Sequence, residues 1–136
     1  SMAWNLSGFE GEVCVAMDAR RNQVYNALFL AENGKLTRYS EDRAISLEDL
    51  SNELASYNGS ITLVGDGAAL CHKMLSAKLN NLFLMPEHLR MQRASGVALL
   101  ANQMAEAGLQ PSGAELTPNY LRLSQAEREK LAREQQ

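Results

Sequence analysis

The run Asp18-Ala19-Arg20-Arg21-Asn22-Gln23-Val24-Tyr25 carries the residue types most suited to chemistry. An aspartate that closes a strand can hold a metal or position a water, and paired arginines can take an anion or a partner's carboxylates. A plainer use is also open: Asp18 accepts turn N–H bonds while the arginines stay solvated. Gly65-Asp66-Gly67 is the second candidate, a strand-to-helix turn where a nucleotide phosphate could approach. Two glycines in a tight β–α connection are a weak signal, and neither Gly-x-x-x-x-Gly-Lys-Ser/Thr nor Gly-x-Gly-x-x-Gly occurs. The third candidate is Leu116 to Arg128, where Tyr120 and Arg122 alternate along an extended stretch after Pro118.

Other reactive side chains form no constellation. His72 and His88 are the only histidines, and they form neither His-x-x-x-His nor a zinc signature with Cys14 and Cys71. Ser7 and Ser95 each precede glycine but lie outside Gly-x-Ser-x-Gly. We expect no catalytic nucleophile, no metal and no cofactor. The cysteines sit in apolar stretches as packing residues, unlike a secreted disulfide framework.

Elements must position these residues. Glu12–Asp18 reads as a strand buried on both faces, and Gln23–Ala31 as a second with Val24, Leu28 and Leu30 on one face. Asn33-Gly34 marks a type I′ hairpin into a polar edge strand running from Lys35 to about Arg43. Ser46 caps a helix with Leu47, Leu50, Leu54 and Tyr57 at helical spacing, ended by Asn58-Gly59. Ile61–Val64 is a short buried strand, followed by a helix with Leu70, Met74 and Leu75. Leu82–Met85 is the last strand, and a helix rich in small residues runs from Ala94 to Gly108. Ser124 caps a final charged helix to about Arg133. The order β-β-β-α-β-α-β-α predicts a mixed five-stranded sheet with flanking helices. That is the ribonuclease-H-like half-fold of the actin, hexokinase and heat-shock chaperone superfamily.

Composition narrows the class. The 136 residues suit one domain, and 46% hydrophobic with 21% charged residues is ordinary for a globular chain. A net charge of −3, with no basic run, supplies no field for gathering nucleic acid non-specifically. No apolar stretch is long enough to span a bilayer and no leader pattern opens the chain, so a cytoplasmic location is expected.

Residues 15–25, Val64-Gly65-Asp66-Gly67-Ala68 and residues 116–128 together resemble the TsaB (YeaZ) family of tRNA threonylcarbamoyladenosine biosynthesis proteins. The resemblance covers nearly the whole chain but only the second half of the family's length. It implies that residues 1–11 are the end of a connecting helix and a linker, that 12–110 form the ribonuclease-H-like domain, and that 111–136 form an extended segment and C-terminal helix. It further implies a non-catalytic scaffold working with TsaD and TsaE homologues and touching tRNA through the complex, with self-association left open. Asp18, Arg20, Arg21 and Tyr25 match the family's Asp-Ala-Arg run, Gly65, Asp66 and Gly67 its second loop, and Tyr120 and Arg122 its Tyr-Leu-Arg. The rival reading is a fragment of a nucleotide-dependent phosphotransferase or hydrolase, or a peptidase-like protein. Phosphate-handling members need glycine in the first turn, where this chain has Arg20 and Arg21.

Overall fold

A computed structural model describes residues 1–6, 8–109, 112–121, 123, 127 and 133–134. It contains a six-stranded mixed sheet: β1 (Gly11–Asp18), β2 (Gln23–Glu32), β3 (Lys35–Arg38), β4 (Arg43–Ser46), β5 (Ile61–Val64) and β6 (Leu82–Leu84). The spatial order is β3-β2-β1-β5-β6, with β4 also on β2. β1, β5 and β6 run parallel, and the β2 neighbours are all antiparallel. The helices are α1 (Leu47–Leu54), α2 (Ala68–Leu75), α3 (Glu87–Arg90) and α4 (Ala94–Glu106).

The sequence signals that are purely local produce what they predict. Asn33 (φ 52°) and Gly34 (φ 72°) both take positive φ in the β2–β3 turn, as a type I′ hairpin requires. Ser46 Oγ accepts the N–H of Asp49 at 3.0 Å, and Glu48 and Asp49 lie in the first turn of α1.

The sixth strand corrects the five-strand expectation. The polar strand expected from Lys35 to Arg43 is broken at 39–42, and its continuation, β4, re-pairs with β2. Phe29 faces Arg38 while Asn26 faces Arg43, so three steps along β2 are matched by five on the other side. This bulge stays bonded: Ser40 Oγ accepts the Leu28 N–H at 2.7 Å, and Arg38 closes on Asp42 at 2.9 Å. α1 also stops at Leu54, a turn earlier than the spacing of Tyr57 suggests, and the short α3 was not expected.

Side-chain alternation gives the sheet two different faces. Cys14 and Ala16 of β1, Val24 and Leu28 of β2, and Ile61 and Leu63 of β5 pack with Leu50 and Leu54 of α1 and Cys71 and Leu75 of α2. Val13, Val15, Ala31 and Val64 point to the opposite face, where Ala3, Leu6 and Met85 cover them. Ala3 and Leu6 belong to a 3₁₀ turn, Met2–Leu6, where the end of a connecting helix was expected. α4 rests on that turn so closely that a Cβ on Gly96 would lie 2.7 Å from the Ser1 carbonyl oxygen. The expected helix from Ser124 to Arg133 falls largely outside the described residues.

Candidate functional site

The carboxyl ends of the parallel neighbours β1 and β5 meet at one place, and both main candidate runs lie there. Asp18 closes β1, and Gly65-Asp66-Gly67 follows β5. The Asp18 N–H donates to Asp66 Oδ1 at 3.2 Å, and Asp18 Oδ1 accepts the Arg20 N–H at 2.7 Å. Each aspartate thus holds a backbone donor of the β1–β2 turn.

That turn is strained. Arg20, Arg21 and Asn22 take φ of 61°, 55° and 57°, three consecutive left-handed residues with no glycine among them. Each non-glycine residue there costs about 1 kcal/mol or more. The turn persists because its ends are tied: Ala19 N–H donates to Gln23 O, Gln23 N–H to Arg20 O, and Leu47 N–H to Asn22 O. Both arginines are exposed, and neither guanidinium forms a salt bridge among the described residues.

The glycines of the second run have a packing reason. Gly65, at φ +101°, approaches Ala16 so closely that a Cβ would sit 2.1 Å from its carbonyl oxygen. A Cβ on Gly67 would meet the Asp18 nitrogen at 2.8 Å. The Gly67 N–H is also spent, donating to Ala16 O at 3.0 Å. The loop is pressed against β1, and this contact accounts for both glycines without a phosphate.

Tyr25 and Tyr120 come together at a feature that sequence reasoning missed. A groove of about 470 Å³ opens on the incompletely covered face of the sheet. Val15 and Met17 of β1 and Tyr25, Ala27 and Phe29 of β2 line it, Leu100 of α4 bounds it, and Asn119, Tyr120 and Leu121 form a rim. The alternation of β1 and β2 could have marked these residues as one face; what leaves that face open is non-local. Arg38 lies over the Phe29 ring at 5.0 Å and is neutralised by Asp42. Asn26 is 3% exposed and fully engaged: Nδ2 donates to the Val15 carbonyl at 2.9 Å, and Oδ1 accepts from Arg43. Arg43 in turn pairs with Glu53 at 2.7 Å. Arg122, the remaining candidate, lies outside the described residues.

The cysteines sit on the sealed face. Burial pushes the Cys71 thiol up to about 12, and burial beside Cys71 pushes the Cys14 thiol higher still. Neither is a nucleophile near neutral pH. Among the described residues, no group of three or more His, Cys, Asp or Glu side chains could hold a metal, and no helix is long and apolar enough to cross a membrane.

Three meandering strands, parallel crossovers and helices on the sheet define an α/β chain of the ribonuclease-H-like class. Two solved Pseudomonas aeruginosa structures share this fold. One is an uncharacterized protein with similarity to peptidase YEAZ, with a TM-score of 0.68 and 18% identity over 89% of this chain and 55% of that one. The other is YeaZ, with a TM-score of 0.64 and 18% identity over 88% of this chain and 53% of its own. The sequence itself is 29% identical over 128 residues to the tRNA threonylcarbamoyladenosine biosynthesis protein TsaB of Bacillus subtilis (strain 168). That match takes in 93% of this chain and 54% of the relative, so the chain is TsaB-like and spans about half the relative's length. No family model matches.

Proposed function

We propose that this chain is a non-catalytic scaffold half in tRNA threonylcarbamoyladenosine formation, working beside TsaD and TsaE homologues in the cytoplasm. The observation that carries the reading is the likeness to TsaB along 93% of the chain. The site geometry supports a contact role over a catalytic one. Asp18 and Asp66 are engaged in holding the turn, and the exposed side chains they leave on offer are arginines. Arg20 and Arg21, with Tyr25 and Tyr120 nearby on the groove, are the residues we assign to partner or anion contact.

The test is reconstitution. Mixed with TsaD, TsaE, tRNA and substrates, this half-length chain yields no modified tRNA, whereas a two-half protein carrying it does. Arg20→Ala with Arg21→Ala in that longer protein lowers the yield without lowering the melting temperature. Modified tRNA from the half chain at the rate of a full-length TsaB would overturn the reading. The rival, a nucleotide-dependent phosphotransferase or hydrolase, requires ATP with Mg²⁺ to bind more tightly than ~100 μM, about 5.5 kcal/mol, by calorimetry.

A further inference from the structure

In α4, composition and burial disagree. From Ala94 to Ala105 the helix carries no charged side chain, and Val97, Leu99, Leu100 and Met104 are spread around it. A helix that is apolar on all sides is ordinarily packed on all sides. Yet Gly96, set against the Ser1 carbonyl oxygen, is its single buried residue, while Val97 is 46% and Met104 37% exposed.

The outward face is ordered. At 3.6 residues per turn, Ala94, Ala98, Ala101 and Ala105 form a stripe on the side opposite Gly96. Val97 and Met104 run along one flank of that stripe, and Ser95 and Asn102 along the other. The alanine spacing of four, three and four reads the same from either end. A reversed copy of the helix therefore meets it in register, Ala94 on Ala105 and Ala98 on Ala101. Reversal about a two-fold axis also joins like flanks, so Val97 meets the second copy's Met104 and Ser95 its Asn102. A parallel copy would set the apolar flank against the polar one.

The charges at the two ends favour the same arrangement. Arg93 precedes the uncharged stretch and Glu106 closes it. Arg93 donates to the His88 carbonyl and Glu106 accepts from Asn102, but neither meets an opposite charge among the described residues. Antiparallel pairing lays the cationic end of one helix beside the anionic end of the other, twice, and opposes the two helix dipoles.

We propose that α4 is the contact of a two-fold dimer of this chain, two α4 helices packing antiparallel through their alanine stripes. A two-fold contact requires a self-complementary patch, and this face supplies one. Alanine layers let the axes approach to the short end of the ~8–10 Å range. The 13 residues of α4 extend about 20 Å, so the buried area falls at the low end of specific interfaces, below ~1,200 Å². The dimer is therefore reversible, dissociating at micromolar concentrations.

Sedimentation equilibrium of the whole chain from roughly 1 μM to roughly 500 μM brackets such a dissociation constant. The average mass is expected to rise from one chain to two. Ala101→Glu should hold it at one chain throughout, with melting at the dilute end unchanged because Ala101 is exposed. Lys78→Glu, exposed beyond α2, should dimerise as the natural chain does. Under mild oxidant, chains carrying Ala94→Cys should cross-link to chains carrying Ala105→Cys, and neither to itself; Cys14 and Cys71 are buried and stay out of the reaction. A mass of one chain at every concentration, a dimer indifferent to Ala101→Glu, or an Ala94→Cys chain that links to itself would overturn the proposal. So would an Ala101→Glu change that leaves the mass of this chain unaltered while lowering the melting temperature of a two-half protein, since the other half would then cover α4. No tRNA or modification enzyme is present, so the outcome is independent of the scaffold reading.

Discussion

The two faces of the sheet are built from the same strands and end differently. On one, α1 and α2 seal Leu28, Leu50, Leu54, Ile61 and Leu63 completely. On the other, a single 3₁₀ turn and a few residues after β6 cover only part of the surface, leaving Met17 39% exposed and Tyr25 and Phe29 half-buried around a groove. The sealed face holds the larger buried cluster, and the open face holds a smaller one built on Leu6, Val13 and Val64 beside its exposed groove.

The largest expected effect separates the faces directly. Leu50→Ala or Leu63→Ala should cost about 2–5 kcal/mol in urea unfolding, because each leaves a cavity in a sealed core. Met17→Ala, on the groove, should cost less than about 1 kcal/mol. Comparable losses would mean that the open face is as much core as the other.

Next comes the contact of the β5–α2 loop with β1. Gly65→Ala should cost about 2 kcal/mol or more, since its Cβ meets the Ala16 carbonyl oxygen at 2.1 Å in a positive-φ position. Gly59→Ala, where nothing lies within 4 Å of the added carbon, is the control and should be near neutral. A tolerant Gly65 would reopen the loop as a place kept small for a ligand.

Alkali should attack the sealed face. Unfolded thiols ionise near 9, whereas Cys71 in the fold does so near 12 and Cys14 higher. Their folded values are raised, so the stabilisation is complete below about pH 9 and is lost as pH rises toward 12. In that window each thiol should lower unfolding free energy by about 1.4 kcal/mol per pH unit. Urea titrations at pH 8 and 10.5 check this, and Cys71→Ala should flatten the dependence by one thiol.

The smallest effect sharpens the open side. Arg21→Gly should raise stability by a few tenths to about 1 kcal/mol by relieving a left-handed residue, yet lower the yield of modified tRNA in the longer protein. A gain in stability with the yield untouched would leave the strained turn without a purpose.

The amino-acid sequence by itself determined whatever one stretch of chain can decide. It specified the Asn33-Gly34 hairpin and the Ser46 cap, because each depends on neighbours a few residues away, whereas for Asp18 it left the turn N–H role open beside a metal or a water. Tertiary structure alone decided the break at 39–42, since Ser40 and Arg38 find their roles against Leu28 and Phe29 across the sheet. It also decided that Gly65 and Gly67 serve a close approach to β1, which no glycine spacing announces. The groove is the clearest case. Its walls come from residues 1–3, from parts of β1 and β2, from Arg38 and Asp42, and from Leu100 and 119–121, and an opening exists only where packing among such distant segments stops short.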